Sequence, residues 1–427
     1  MRYITWSAAA LVVPSLLAGV GNAQAEESWR TKVKVQRNGF YPLDVVDNLL
    51  EETMPKIESY MDKKIAAGKN NNCTLENAGV RREWGDMTDE QRLDFIKATL
   101  CLMNKPSRAP KDQFPGVQNR YDDFVAYHMT HMGVLHDTVG LFPGHKYFVL
   151  AYEMALRNEC GYKGYHPYMN YDRYTHEPEK SALFNGNATS MGGNGAPDPR
   201  YRGVNSATGK LIPKGEGGGC VTTGPFKDMV VSLGPGVPMM NDIPKNPLAN
   251  ATGPNPRCLR RDLNINSALG ATANISYNLI AQSKDINTFY NTLLTPPRNN
   301  KDPYPWGVHE AGHFIAGGDP GGDPLCSPGD PVFYFHHAML DRLWWIWQMQ
   351  DPENRINAVV NLGARPTPTP TPTPEESGHA GHGGGADGGA AAGRMIDLKW
   401  LAPDVIPVLE AHDGLGGHGG MFCHVYV

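Results

Sequence analysis

No block of like charge, and no second long apolar run, interrupts this 427-residue sequence. Lys and Arg number 39 against 44 Asp and Glu, a formal net charge of −5 without any basic run. Nothing there would neutralise a phosphate backbone, so no nucleic-acid partner is expected. Beyond the N-terminal segment no stretch stays apolar over the ~20 residues that a bilayer span needs, so no membrane partner is expected either. Cysteines are few. Cys73, Cys101, Cys160, Cys220, Cys258, Cys326 and Cys423 suit up to three bridges and one leftover thiol, and their spacing leaves the pairing open. Glycine and proline are plentiful, at 48 and 35, which implies many loops around a compact core.

The chain opens MRYITWSAAALVVPSLLAGVGNAQAEE. Arg2, an apolar run to about Leu17 and the small-residue triplet Ala23-Gln24-Ala25 read as a secretory signal peptide over residues 1–25. An exported chain permits disulfides, and N-x-S/T sequons at Asn72, Asn187, Asn250 and Asn274 fit a secreted glycoprotein.

Apolar spacing predicts an amphipathic helix over 41–65, and Thr88 with Gln91 forms a capping box that starts another over 88–103. The segments 117–136, 147–158 and 331–350 are also expected to be helical, with Pro143 and Pro331 near their starts. Between them, 161–305 is rich in Gly, Pro and Asn and reads as a loop-dominated region tied by disulfides. Residues 364–394 hold a Thr-Pro repeat and a Gly/Ala tract, a low-complexity insert expected to be disordered. After it the tail resumes apolar patterning and ends in a strand-like FCHVYV that should pack on the main body. The expected organisation is therefore one domain over 26–427, interrupted by an insert.

The histidines are clustered. His128, His131, His136 and His145 fall within eighteen residues, and His309 and His313 precede the pair His336-His337. His309-Glu310-Ala311-Gly312-His313 spells H-E-x-x-H, the zinc-peptidase pattern of two ligands one helical turn apart with a glutamate base. The longer metzincin signature fails, because Ala316 and Asp319 stand where its glycine and last histidine would be. Imidazole alone leaves copper, zinc, iron and nickel open. Two histidine sets without thiolate or carboxylate, however, fit a dinuclear copper site on facing helices of a bundle. A surface or core role suffices for His131, His166, His176, His412, His418 and His424.

The spacing H-x7-H-x8-H of His128, His136 and His145, then H-x3-H and a His-His pair with DP before it and DRxW after it, resembles both copper motifs of the type-3 copper proteins: tyrosinases, catechol oxidases and haemocyanins. The likeness is nearest to short secreted fungal catechol oxidases and tyrosinases. It extends to CTLENAGVRREWGDMT, SALFNGNATSMGGNG, GGGCVTTGPFKDM and NPRCLRRDL, and covers most of the chain outside the 364–394 insert. The resemblance implies a mainly α fold, a four-helix-bundle dicopper core with long irregular loops and a few short strands. It implies two copper ions, the first on His128, His136 and His145 and the second on His309, His313 and His337. His336 would stand behind the ligands, Asp341 and Arg342 would form a buried pair, Phe314 would wall the pocket, and Pro324 with Leu325 would be the gate over the second copper.

Departures from the family bear on substrate choice. Gly144 and Lys146 replace the tryptophan and arginine that commonly flank the third ligand, a change expected to loosen packing. Val134 stands where many members carry a cysteine joined to the middle ligand, so that crosslink is excluded. Glu310 replaces the asparagine frequent after the first ligand of the second copper, and is a candidate base. The resemblance implies an oxidase converting o-diphenols to o-quinones with O2 reduced to water, with o-aminophenols and, weakly, monophenols in range. The alternatives are a tyrosinase with full monophenol hydroxylase activity and an HExxH zinc peptidase. Reversible oxygen carriage is disfavoured, since the chain stops just after FCHVYV without a domain to screen the site.

Overall fold

The computed structural model describes residues 29, 41–205, 211–240, 242–295, 306–361 and 393–427. The signal segment and nearly all of the insert lie outside these residues. Ten helices carry the argument: α1 (Val45–Ala66), α2 (Asp89–Leu102), α3 (Arg120–Thr130), α4 (Met132–Leu135), α5 (Leu141–Cys160), α6 (Ile265–Ala268), α7 (Ala273–Gln282), α8 (Ile286–Leu294), α9 (Val308–Ala316) and α10 (Val332–Gln350). The strands are short, and the fold is mainly α, as expected.

Local chemistry sets the helix starts. The Asp44 side chain accepts from the N–H groups of Val46 and Asp47 while Asp47 reaches back to the Asp44 N–H, a capping box that opens α1. Val46, Leu50, Ile57 and Met61 then bury one stripe of α1. Thr88 and Gln91 cap α2 reciprocally, as the sequence predicts. The single helix expected over 117–136 is instead two, because the chain leaves helical geometry at His131 (φ −118°, ψ 30°). There the His131 ring stacks on Tyr127 at 4.0 Å and its Nδ1 meets the Tyr127 carbonyl at 3.0 Å, a local bond that competes with the next turn. Gly161, in the left-handed region at φ 72°, closes α5.

The region 161–305 is less irregular than its composition suggests, for it contains α7 and α8. Their N-caps are Thr272 and Asp285, and each buries an apolar stripe, Leu279 and Ile280 on α7 and Ile286, Phe289 and Leu293 on α8.

Every residue of α10 from Val332 to Met349 is buried, including Trp344, Trp345 and Trp347. Helices α3, α5, α9 and α10 face one another around the histidines. The tail does dock: Phe422–Tyr426 pairs parallel with Gly79–Arg81 and antiparallel with Leu415–Gly416. Disulfides join Cys73 to Cys423, Cys101 to Cys160 and Cys220 to Cys258, and Cys326 is a buried free thiol. Among the described residues no helix is long and apolar enough to cross a membrane.

Candidate metal centre

Two groups of imidazoles converge in the bundle, His128, His136 and His145 in one and His309, His313, His336 and His337 in the other. Within each group the ligating atoms lie within 4.8 Å of one another. His128 lies in the last turn of α3, His136 follows the short turn α4, and His145 lies one turn into α5. His309 and His313 are i and i+4 on α9 and so share one face, as His336 and His337 reach in from α10. The two groups adjoin: the rings of His145 and His337 stack at 4.0 Å with 7° between planes, and His136 lies 6.3 Å from His309.

Backbone carbonyls choose the tautomers. A carbonyl can only accept, so His128 Nδ1–H donates to Leu325 O and His145 Nδ1–H to Leu141 O, each at 2.8 Å. Their Nε2 atoms are left unprotonated and turned inward. Those of His128 and His136 meet at 3.0 Å, and those of His145 and His337 are buried with no protein partner. Burial pushes the His128 pKa down to about 4, and burial followed by neighbouring imidazoles holds His145, His313 and His337 well below the ordinary histidine range. Neutral rings with bare, buried nitrogens are a donor set that fits a borderline transition metal and no group that needs oxygen ligands. His313 alone keeps a partly exposed edge.

His336 joins the second group. Tyr171 Oη lies 2.7 Å from His336 Nδ1 and 3.1 Å from the His336 carbonyl. A hydroxyl that donates to the carbonyl and accepts from Nδ1–H satisfies both contacts and bares the buried Nε2. Sequence reading missed Tyr171, which nothing local marks. It also missed Phe333, whose ring touches both groups at 5.1 Å from His128, 5.8 Å from His313 and 4.3 Å from His337. The signal for Phe333 was present, since it precedes His337 by four residues on one helix.

Glu310 is partly exposed, with Oε1 3.6 Å from His309 Nδ1, beyond hydrogen-bond range. Phe314 is buried and stacks on Trp306 at 4.3 Å. Pro324 is exposed, and the Leu325 carbonyl anchors His128, which places Leu325 beside the first group.

Two expectations need correction. Asp341 and Arg342 do not pair, because neighbours on a helix point about 100° apart. Asp341 instead faces Tyr426 Oη (2.5 Å), Arg81 (3.5 Å), His424 (3.4 Å) and Lys146 (3.7 Å), while Arg342 donates to Asp47 at 2.6 Å. Gly144 and Lys146 do not loosen the packing either. A Cβ on Gly144 would stand 3.2 Å from Leu135, so the glycine lets α4 close in on α5. Lys146 is fully buried, 5.2 Å above the Trp344 ring.

Comparison with known proteins agrees with this geometry. The profile of the common central domain of tyrosinase matches residues 118–350, a span that holds both histidine groups. The tyrosinase-like protein orsC of Emericella nidulans is 38% identical over 303 residues, covering 67% of this chain and 78% of that one. The N-acetyl-6-hydroxytryptophan oxidase ivoB of the same organism is 38% identical over 294 residues, covering 65% and 76%. A variant of polyphenol oxidase from Thermothelomyces thermophila superposes with a TM-score of 0.75 at 32% identity, over 89% of this chain and 97% of that one. The zinc-peptidase reading has no support: HEAGH supplies two imidazoles to a group of four, and it lies inside the matched domain. With its histidine groups, its helical core and these relatives, the chain belongs to the tyrosinase family of type-3 copper oxidases.

Proposed function

We propose that the protein is a secreted dicopper oxidase that converts o-diphenols to o-quinones, with His128, His136 and His145 as ligands of one copper and His309, His313 and His337 as ligands of the other. The observation that carries this reading is the stacked pair His145 and His337, one from each group, both with a buried, unpartnered Nε2. When bound, a copper pair supplies the two-electron exchange between O2 and the diphenol. The chain does the rest. The Leu325 and Leu141 carbonyls fix two ligand tautomers, and Phe333 keeps water from the space between the groups. The diphenol approaches along the exposed edge of His313, and Glu310 Oε1 accepts its hydroxyl proton.

The ivoB relative is named for a hydroxylated aromatic, which supports a phenolic substrate. Three disulfides and the N-terminal apolar segment support export. His313→Ala should abolish catechol-dependent oxygen uptake and lower the copper content from two per chain. Retained uptake sinks the ligand assignment. Offering a monophenol beside catechol separates a diphenol oxidase from a full tyrosinase: rapid oxidation of catechol with at most weak turnover of the monophenol is the expected result.

A further inference from the structure

We propose that Arg394, the last residue of the low-complexity insert, is a positioning residue for the first histidine group, clasping the segment that carries His136. This rests on the reading of His136 as a copper ligand. His128 and His145 ride on α3 and α5, helices of 11 and 20 residues. His136 follows a four-residue helix that has no side-chain cap at its start. The backbone hydrogen bonds of residues 132–140 stay among neighbours between His131 and Gly144. Gly133 is exposed, and Met132, Val134, Asp137 and Thr138 are only half-buried. Leu135 and Val139 pin the inner side of this segment to the core, while its outer side has little of its own to hold it. No thiol is at hand to brace it, because six cysteines are in disulfides and Cys326 is packed against Gly234.

Arg394 supplies an external hold on both sides of His136. Its Nη2 donates to the Gly133 carbonyl at 2.9 Å, and its Nη1 forms an ion pair with the Asp137 carboxylate. Asp137 in turn accepts from the Gly140 N–H at 2.6 Å, so the same carboxylate shapes the turn into α5. Only a guanidinium can grip two such acceptors at once in a fixed plane. The arginine is itself firmly mounted. Its carbonyl accepts from the Val408 N–H at 2.9 Å, and it leads into the strand Met395–Asp397, which pairs with Val405–Pro407. Tyr127 on α3 donates to the Asp397 carbonyl at 2.8 Å, tying that strand back to the helix that carries His128. The far edge of the insert thus fixes the angle at which the middle ligand meets the other two.

The test uses the copper-loaded, full-length protein and follows copper release to an excess of chelator, independently of turnover. Arg394→Ala and Asp137→Asn should each release one of the two coppers ~10 to 100 times faster, as loss of an outer-shell support does, with the second copper held as before. The double variant should be no faster than either single one, and Arg394→Lys should fall between. Unchanged release, or equal acceleration of both coppers, overturns the clasp while leaving the ligand reading intact. A wild-type protein that holds fewer than two coppers overturns the ligand reading, and the clasp with it. Asp137→Asn keeps the test decisive if Arg394→Ala fails to fold, since the amide oxygen it introduces can still accept from the Gly140 N–H.

Discussion

Gly312 shows how much a single position in HEAGH decides. A Cβ there would stand 2.3 Å from His336 Nδ1 and 3.0 Å from the Tyr171 hydroxyl, so α9 can pass over the His336 ring only because this residue has no side chain. Gly312→Ala would gain up to about 1 kcal/mol in helix propensity but cost roughly 1–3 kcal/mol in overpacking of rigid, hydrogen-bonded neighbours. A net loss of stability is expected, with His336 pushed off Tyr171. Chemical denaturation of the metal-free protein measures the first effect and the copper content of the loaded protein the second. A variant as stable as the parent, with both coppers, would mean that the His336 ring is not held in place. The motif displayed its two histidines openly, yet its glycine and Tyr171 carry the second half of the arrangement. Tyr171 stands 165 positions from His336 in the chain, and their relation appears only when α9 and α10 cross.

At the scale of elements, α10 joins the metal centre to two separate buried charge systems. Asp341 points toward Arg81, Lys146 and Tyr426, and Arg342 toward Asp47 at the start of α1. Asp47→Ala would strand the buried Arg342 guanidinium without its carboxylate, at a cost of roughly 3–5 kcal/mol in global stability. Arg342→Met should cost less, because Asp47 keeps its place in the α1 capping box and near the positive end of that helix. Urea unfolding of the two variants checks the order, and a milder loss for Asp47→Ala would argue against the pairing. The elements themselves were unevenly legible. Caps and apolar stripes marked α1 and α2, and the apolar run of 331–350 marked α10. Helices α7 and α8 were hidden by Asn, Ser and Thr, whose weak helix propensity is overridden by the burial of Leu279, Ile280, Phe289 and Leu293. The break at His131 was hidden as well, because it depends on a ring stacking back on Tyr127.

For the whole molecule, acid sensitivity follows from buried histidines, three of which lie away from the metal centre. Burial, reinforced by the Arg81 charge, lowers the His166 pKa to about 3. Burial also lowers His412, against the bond to the Ile356 carbonyl, and His424, beside Arg81, each to about 4. These rings are neutral when folded, but in the unfolded chain they take up protons near pH 6.5. Between about pH 6.5 and 4 the unfolded state therefore binds more protons, and folding stability contributed by these three sites falls as the pH falls. Four carboxyls raised by burial act in the opposite sense, Glu83 and Asp262 among them. Burial raises Asp122 and Asp323 to about 6, so their contribution grows as the pH drops through 6 toward the ordinary aspartate value. They are outnumbered, because in the metal-free protein burial also holds His128, His145, His313, His336 and His337 below the ordinary histidine range, so the net expectation is loss. The metal-free protein should show a thermal midpoint that declines steadily from pH 7 to pH 4. Replacing His412, which packs against Trp344 at 5.1 Å, with Gln should flatten part of that decline, whereas an unaltered slope would show that His412 takes up its proton equally in the folded and unfolded chain.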